Sequence, residues 1–155
     1  MANRGTIRVD GLAELGAKLR ALSDDVRYKI ARAAANAGAQ VIKKEAQTRA
    51  PIGTVPHKVG KKGNIVPPGN LRRNIYVKRL PLSQRKHTED FIVAVRQGGK
   101  SGKDAFYWRF LEYGTVKMAA QPFMRPAFSN KKQQAAEAMR ERLRQRIQKA
   151  ERTGR

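Results

Sequence analysis

A long segment without proline, Ser23 to Arg49, constrains the fold of this 155-residue chain more than any other feature. Ser23 is a favourable N-cap residue, Asp24 and Asp25 place acidic charge in the first turn, and Pro51 ends the segment. One apolar stripe recurs at helical spacing, formed by Val26, Ile30, Ala33, Ala37 and Val41. Because alanine is abundant here, the predicted helix can pack closely against a sheet or another helix.

Two further segments, one near each end of the chain, predict helices. The first repeats leucine at helical spacing, at Leu12, Leu15, Leu19 and Leu22. Asp10 is its expected N-cap. The second is an amphipathic C-terminal helix with an apolar stripe of Ala136, Met139, Leu143, Ile147 and Ala150.

Three short segments have the alternation of β-strands: Thr6 to Val9, Leu71 to Leu80, and Phe91 to Val95. Phe106 to Tyr113 fits either a strand or one face of a helix. Because strands and helices are segregated along the chain, the sequence predicts a single α+β domain over residues 1–155. We expect a small antiparallel sheet packed against the long alanine-rich helix and the C-terminal amphipathic helix.

Residues 51–70 contain four prolines and four glycines and predict an extended loop, without helix or sheet, between the long helix and the sheet. No acidic residue occurs between Glu45 and Glu89, whereas ten lysines and arginines do. Such a run repels itself unless a polyanion lies close to it. The predicted contacts to DNA or a partner are Lys58, Lys61, Lys62, Arg72, Arg73, Lys78 and Arg79.

The charge of the whole chain points in the same direction. Lysine and arginine number 34 against 12 acidic residues, a net charge of +22, which favours nucleic acid or a strongly acidic protein as partner. Cysteine is absent, which excludes disulfides and thiol chemistry. No apolar run has membrane-spanning length and the first residues do not form a signal peptide, so we expect a soluble protein of the cytoplasm.

Catalytic and metal-binding patterns are weak. His57 and His87 lie among lysines without a second ligand at a metal-binding spacing. Asp104 and Glu112 are the only acids near the aromatic cluster, fewer than nuclease chemistry needs to hold metal ions. The sequence therefore predicts no enzyme, no metal and no cofactor. The acidic pair Glu89-Asp90 is interpreted as the solvated start of a strand.

Five aromatic residues are crowded into one short segment: Phe106, Tyr107, Trp108, Phe110 and Tyr113. Beside basic residues, such a cluster could stack on the bases of a single-stranded nucleic acid. The alternative is that the five rings form most of the domain core. Aromatic residues make up only 6% of the chain, so we favour the core.

Three blocks of sequence resemble the minor tail or tail-completion family of long-tailed bacteriophages, named after gene product ten of a lambda-like coliphage. The blocks are Ala50, Pro51 and Thr54; Gly69, Leu71, Arg72 and Ile75; and a final block of Glu112, Tyr113, Gly114, Thr115, Pro122, Phe123, Met124, Arg125, Pro126 and Ala127. The resemblance spans nearly the whole chain, and its final block is the most specific. The chain departs from the family by inserting Val55 to Pro68.

The resemblance implies a non-enzymatic virion component, assembled in the host cytoplasm and placed at the neck where the DNA-filled head joins the tail. It implies a homo-oligomeric ring, a hexamer by analogy, next to head-closure or connector proteins and tail-terminator or tail-tube proteins. The alternative is a stand-alone nucleic-acid-binding protein. In either case Gly114 and Thr115 are expected to turn the chain, Pro122 and Pro126 to stiffen the entry to the last helix, and Arg125 to pair with Glu112.

Overall fold

The computed structural model describes residues 10–53, 57–59, 64–85, 89–97 and 105–153. Its helices are α1 (Leu12–Arg20), α2 (Asp24–Arg49), α3 (Asn70–Arg73), α4 (Trp108–Tyr113) and α5 (Met124–Thr153). Its strands are β1 (His57–Val59), β2 (Asn64–Val66), β3 (Ile75–Arg79) and β4 (Phe91–Val95), and a short 3-10 turn covers Leu82–Gln84. This mixture of long helices with small antiparallel sheets confirms the predicted α+β class.

The described residues form two compact units. Unit 1 contains residues 10–41, 79–85, 89–92 and 131–153, and unit 2 contains residues 42–53, 57–59, 64–78, 93–97 and 105–130. The helices α2 and α5 each contribute residues to both units. Organisation as a single domain remains a prediction.

Unit 1 is built on helix packing. Its buried centre consists of Leu15 from α1, Ile30 from α2, and Ile147 and Ala150 from α5. Four partly buried residues surround it: Leu19, Leu22, Val26 and Leu143. The predicted face of the leucine repeat is confirmed from Leu15 onward, whereas Leu12 is 52% exposed. The C-terminal apolar stripe is confirmed from Leu143 onward, whereas Met139 is 39% exposed.

Unit 2 has a core made by segments that are distant in sequence. Its buried residues are Ala46, Ala50, Leu71, Ile75, Val95, Ala105, Phe123 and Ala127.

The strands β3 and β4 pair with each other. Leu80 N–H donates to Asp90 C=O at 2.9 Å at one end of the pair, and Arg96 N–H donates to Asn74 C=O at 2.9 Å at the other. The pairing is therefore antiparallel, as predicted.

The long helix is confirmed, but its buried face differs from the predicted one. The buried positions recur every four residues, at Ile30, Ala34, Gly38, Ile42 and Ala46. Ala33, Ala37 and Val41 are only partly buried. Because alanines occupy several faces of this helix, hydrophobic periodicity could not distinguish the stripe from its neighbour one residue away.

Two predicted element starts are wrong. Helix α1 begins after Gly11, which has φ +74° and serves as the N-cap in place of Asp10. The predicted strand Leu71 to Leu80 begins only at Ile75, because its first residues form the helical turn α3. Gly69 precedes this turn with φ +75°, a conformation that glycine adopts without strain. At the end of the turn, the Asn74 side-chain amide donates to the Asn70 backbone carbonyl at 2.9 Å.

The expectation that residues 51–70 form no sheet is also wrong. Strands β1 and β2 pair antiparallel, with His57 opposite Val66 and Val59 opposite Asn64. Val66 is fully buried, whereas Ile65 is exposed. The segment therefore contributes a side chain to the packed interior.

The remaining element predictions have separate outcomes. The ambiguous aromatic segment is helical from Trp108 to Tyr113. The expected strand Thr6 to Val9 lies outside the described residues. In the part of the chain that the structure describes, no helix combines the length and apolar character needed to cross a membrane.

Candidate functional site

The centre of the α4–α5 corner is a buried carboxylate. Glu112, on α4, is 1% exposed and accepts hydrogen bonds from the first N–H groups of α5. Its Oε2 accepts from Phe123 N–H at 2.8 Å and Met124 N–H at 3.0 Å, and its Oε1 accepts from Arg125 N–H at 3.0 Å. These donors have no partner within the helix, so Glu112 caps α5 from outside.

The structure brings Arg125 and Glu112 together. Arg125 Nε donates to Glu112 Oε1 at 3.1 Å, and the guanidinium also donates to the Glu112 backbone carbonyl at 2.9 Å. The same guanidinium lies 4.9 Å from the centre of the Tyr113 ring. Arg125 therefore joins the last turn of α4 to the first turn of α5, which identifies its role as structural.

The environment of Glu112 keeps it ionised. Burial opposes ionisation, but the hydrogen bonds from Met124, Phe123 and Arg125 outweigh it, and the pKa of Glu112 lies below its ordinary value. The carboxylate therefore carries its charge at neutral pH and interacts favourably with the N-terminus of α5.

Gly114 provides the turn between these helices. Its φ is +76°, a conformation that residues with a side chain rarely adopt, and a Cβ atom here would lie 3.0 Å from both Ala120 N and Met118 O. The chain then forms a tight turn in which Thr115 pairs with Met118. Gln121 N–H donates to Leu111 C=O at 2.7 Å and returns the chain to α4.

The two prolines flank the start of α5. Pro122 immediately precedes the buried Phe123. Pro126 is the third residue of α5, where a backbone N–H has no partner inside the helix and its absence has no cost. The corner thus combines the turn at Gly114, the buried side chain of Phe123 and the cap that Glu112 provides for α5.

Most of the clustered aromatic rings are not in the core. Tyr107 and Trp108 pack against the core of unit 2. Phe106, Phe110 and Tyr113 are exposed, at 45%, 49% and 63%. The prediction that the whole cluster is core is therefore wrong for these three. Phe106 precedes α4, and Phe110 and Tyr113 lie on the exposed face of this short helix.

The predicted basic contact residues have different environments. Arg73 and Lys78 are exposed. Arg72 is partly buried, and its guanidinium donates to Thr48 C=O at 3.4 Å. Lys61 and Lys62 and the side chain of Lys58 lie outside the described residues.

Arg79 belongs to an ion-pair cluster around a buried carboxylate, which the sequence did not indicate. It donates two hydrogen bonds to Glu89, at 2.6 and 2.5 Å, and Arg32 and Arg85 lie within 3.5 and 3.8 Å of the same carboxylate. The hydrogen bond from Arg79 lowers the pKa of Glu89, against the effect of burial, and the charges of Arg79, Arg85 and Arg32 lower it further.

Glu89 is 3% exposed on its side chain, so its interpretation as a solvated strand start is wrong. The signal that could have revealed the cluster is the antiparallel pairing of β3 and β4, which places residues 79 and 89 near each other. The cluster neutralises part of the positive charge of the basic run from 46 to 88. Among the described residues of that run, Arg73 and Lys78 are exposed.

A second basic surface lies on α5. Between residues 131 and 153 the helix carries eight lysines and arginines against three glutamates. Five of these cations are exposed: Arg142, Arg144, Arg146, Lys149 and Arg152. Arg142, Arg146 and Lys149 are four and three residues apart and therefore share one face of the helix. The described residues contain no group of three or more His, Asp or Glu that could hold a metal ion.

These features define a class of small, strongly basic α+β subunit with a rigid helical corner and exposed charged and aromatic side chains. The chain belongs to the HK97-gp10-like family of bacteriophage tail components, whose model matches residues 13–114. This confirms the resemblance, although the match ends at Gly114 and the block from Pro122 to Ala127 lies beyond it. No curated protein and no solved structure matches the chain. The chain is thus a structural component of a phage tail and is located in the virion.

Proposed function

We propose that this tail component is a ring-forming neck or tail-completion protein that joins the DNA-filled head to the tail. Its basic surface faces the DNA or acidic neighbouring rings. The neighbours are a head-closure or connector protein on one side and a tail-terminator or tail-tube protein on the other. The ring is a hexamer by analogy with the family.

The observation that carries this proposal is the exposed positive charge on α5 in a protein that belongs to a tail family. Arg142, Arg146 and Lys149 form a row on one helix face. None of the ion pairs among the described residues joins these three cations to an acid of the chain. A row of like charges is unfavourable alone and becomes favourable next to the phosphates of DNA or an acidic protein surface.

The competing function is a stand-alone, sequence-independent nucleic-acid-binding protein that uses the same surface. Oligomeric state separates the two functions, because a neck component must form a closed ring whereas a free binder has no such requirement. We expect sedimentation of the purified protein over a concentration series to show one closed oligomer, alone or after addition of purified heads or tails. Monomers or dimers under all of these conditions would favour the stand-alone binder.

The DNA contact is tested by salt dependence. If the surface neutralises six to ten phosphates, affinity for random duplex DNA should fall by about 10³-fold or more between about 50 and about 200 mM salt. The triple variant Arg142→Gln, Arg146→Gln, Lys149→Gln should reduce the slope of log affinity against log salt by roughly two to three. The measurement is fluorescence anisotropy with a labelled duplex.

The matched control removes three cations that already have acidic partners. Lys18, Arg27 and Lys29 pair with Glu14, Asp24 and Asp25 on their own helices. The variant Lys18→Gln, Arg27→Gln, Lys29→Gln has the same net charge as the α5 variant and should keep the wild-type slope. Equal slopes for the two variants would show that α5 does not contact DNA.

A further inference from the structure

Unit 2 contains an open apolar groove next to the α4–α5 corner. Its volume is about 590 Å³, and it lies between the loop after α2, the residues before α3, and α4. Exposed apolar side chains line it, namely Ile52, Phe106, Phe110 and Met118, together with Pro67 and Pro68. Every lining residue that the structure describes belongs to unit 2.

The groove holds large apolar side chains that the core of unit 2 does not use. Single exposed apolar residues are common on protein surfaces, but a contiguous concave set of them marks a binding surface. Phenylalanine and methionine are also enriched at the centres of protein interfaces. The side chains exposed in this groove therefore fit the apolar anchor residues of another polypeptide.

Two basic side chains lie at the edge of the groove. Arg73 is exposed and donates to the carbonyl of Pro67 on the rim at 3.4 Å, and Lys117 precedes Met118 on another side. In the described part of unit 2 the acidic residues are Glu45 and Glu112, and both are already paired, with Arg49 and Arg125. Neither of these two described acids therefore balances the charge of the rim.

We propose that this groove is a docking site for an acidic segment of a partner protein, anchored by aliphatic or aromatic side chains. The apolar residues of the groove bind the aliphatic or aromatic side chains of the segment, and Arg73 and Lys117 attract its carboxylates. A second copy of this chain, with a net charge of +22, would bring like charge to a basic rim. The inference concerns unit 2 alone and does not depend on whether the chain forms a ring.

Single-stranded nucleic acid is an alternative occupant, because it combines negative charge with flat bases. The geometry of the aromatic rings in the groove does not favour it. Phe106 and Phe110 meet edge to face, at an interplanar angle of 88°, and Phe106 meets Tyr107 at 82°. A platform for successive bases needs ring faces that are accessible in parallel. Phe106, which is nearly perpendicular to both neighbouring rings, fits the irregular outline of aliphatic and aromatic side chains better.

The test is a selection from random twelve-residue peptides displayed on yeast, using the purified full-length protein. Enriched peptides are expected to combine acidic residues with leucine, isoleucine or aromatic residues. Their affinity is then measured by fluorescence anisotropy against Phe110→Ser, which removes an exposed lining ring. Leu82→Ser is the matched control, because Leu82 is 83% exposed and belongs to unit 1.

Phe110→Ser should weaken the enriched peptides by about tenfold or more, as expected for an anchor contact, while Leu82→Ser leaves them unchanged. Arg73→Gln should weaken them less, and most clearly at low salt. Absence of enriched peptides, peptides without acidic residues, or equal effects of Phe110→Ser and Leu82→Ser would overturn the proposal. Binding of an oligo-dT strand that is lost in Phe110→Ser would assign the groove to nucleic acid instead.

Discussion

Replacing Glu112 with alanine is expected to lower the free energy of unfolding by about 3–5 kcal/mol, among the largest effects available to a single substitution in this chain. The substitution leaves the N–H groups of Phe123, Met124 and Arg125 without their acceptor, and it removes the carboxylate that pairs with the Arg125 guanidinium. Unfolding in denaturant can be followed by the fluorescence of Trp108, the single tryptophan of the chain, which lies on the same helix as Glu112.

The variant Glu112→Gln separates charge from shape. Both carboxylate oxygens accept from N–H groups, so either orientation of the amide places its NH₂ group against another donor. We expect a loss of about 1.5–3 kcal/mol, even though glutamine has nearly the same volume. Glu151→Gln is the control, because Glu151 is exposed near the end of α5 and should change stability by less than about 0.5 kcal/mol. Equal stability of Glu112→Gln and wild type would contradict the capping role.

The pH dependence of stability gives an independent measurement of the same carboxylate. The pKa of Glu112 is lower in the folded protein than in the unfolded chain, so its stabilisation is fully present above the unfolded pKa of about 4.3. It is lost as the pH falls from there through the folded pKa. Glu89 acts in the same direction. The difference in stability between wild type and Glu112→Gln should therefore shrink with acidification, and a constant difference would exclude an ionised Glu112.

Replacing Gly38 with leucine is expected to destabilise unit 1 by about 3 kcal/mol. A Cβ atom on Gly38 would lie 2.5 Å from Met139 Cγ, 2.7 Å from Met139 Sδ and 3.1 Å from the backbone carbonyl of Ala135. The methionine side chain can move, but the carbonyl belongs to the backbone of α5 and moves only with the helix. Thermal unfolding followed by circular dichroism should show the loss.

Gly16→Leu is the matched control for this substitution. Gly16 also lies inside a helix of unit 1, and its nearest neighbour beyond its own helix backbone is the end of the flexible Arg20 side chain, at 3.6 Å. Leucine is a better helix former than glycine, so Gly16→Leu should be neutral or stabilise by about 0.5–1 kcal/mol. If Gly38→Leu behaves in the same way, α2 and α5 have enough room between them and the close packing at Gly38 is not required. Shortening the methionine in Gly38→Ala, Met139→Ala should recover stability relative to Gly38→Ala alone.

The sequence predicted the features that depend on local chemistry. Helices α2 and α5 follow from uninterrupted helix formers with an apolar stripe, and the turn at Gly114 follows from the need for positive φ. The pairing of Arg125 with Glu112 could be expected because Glu112 is the single acid among the cations of its segment.

The features that the sequence did not predict depend on contacts between distant segments. The pairing of β3 with β4 places Arg79 next to Glu89. Arg32, on α2, also contacts Glu89 although the two residues are 57 positions apart in sequence. The exposure of Phe110 depends on which face of α4 meets the core, and the exposure of Phe106 depends on the path of the chain before α4. Composition determines neither. The start of α3 depends on Gly69 and on the Asn70–Asn74 side-chain hydrogen bond, 2.8 Å between Asn74 Nδ2 and Asn70 Oδ1.

The pairing of β1 with β2 has a consequence for how related phages can diversify. Side chains alternate between the two faces of a strand, so Val66 points into the interior and its neighbour Ile65 points outward. Residues inserted or deleted between β1 and β2 do not change the number of residues from Val66 to α3. A one-residue shift in the pairing of β2 with β1 would instead exchange the buried and exposed faces of β2. We therefore expect related phages to vary in length and charge between β1 and β2, and to keep the spacing from Val66 to α3.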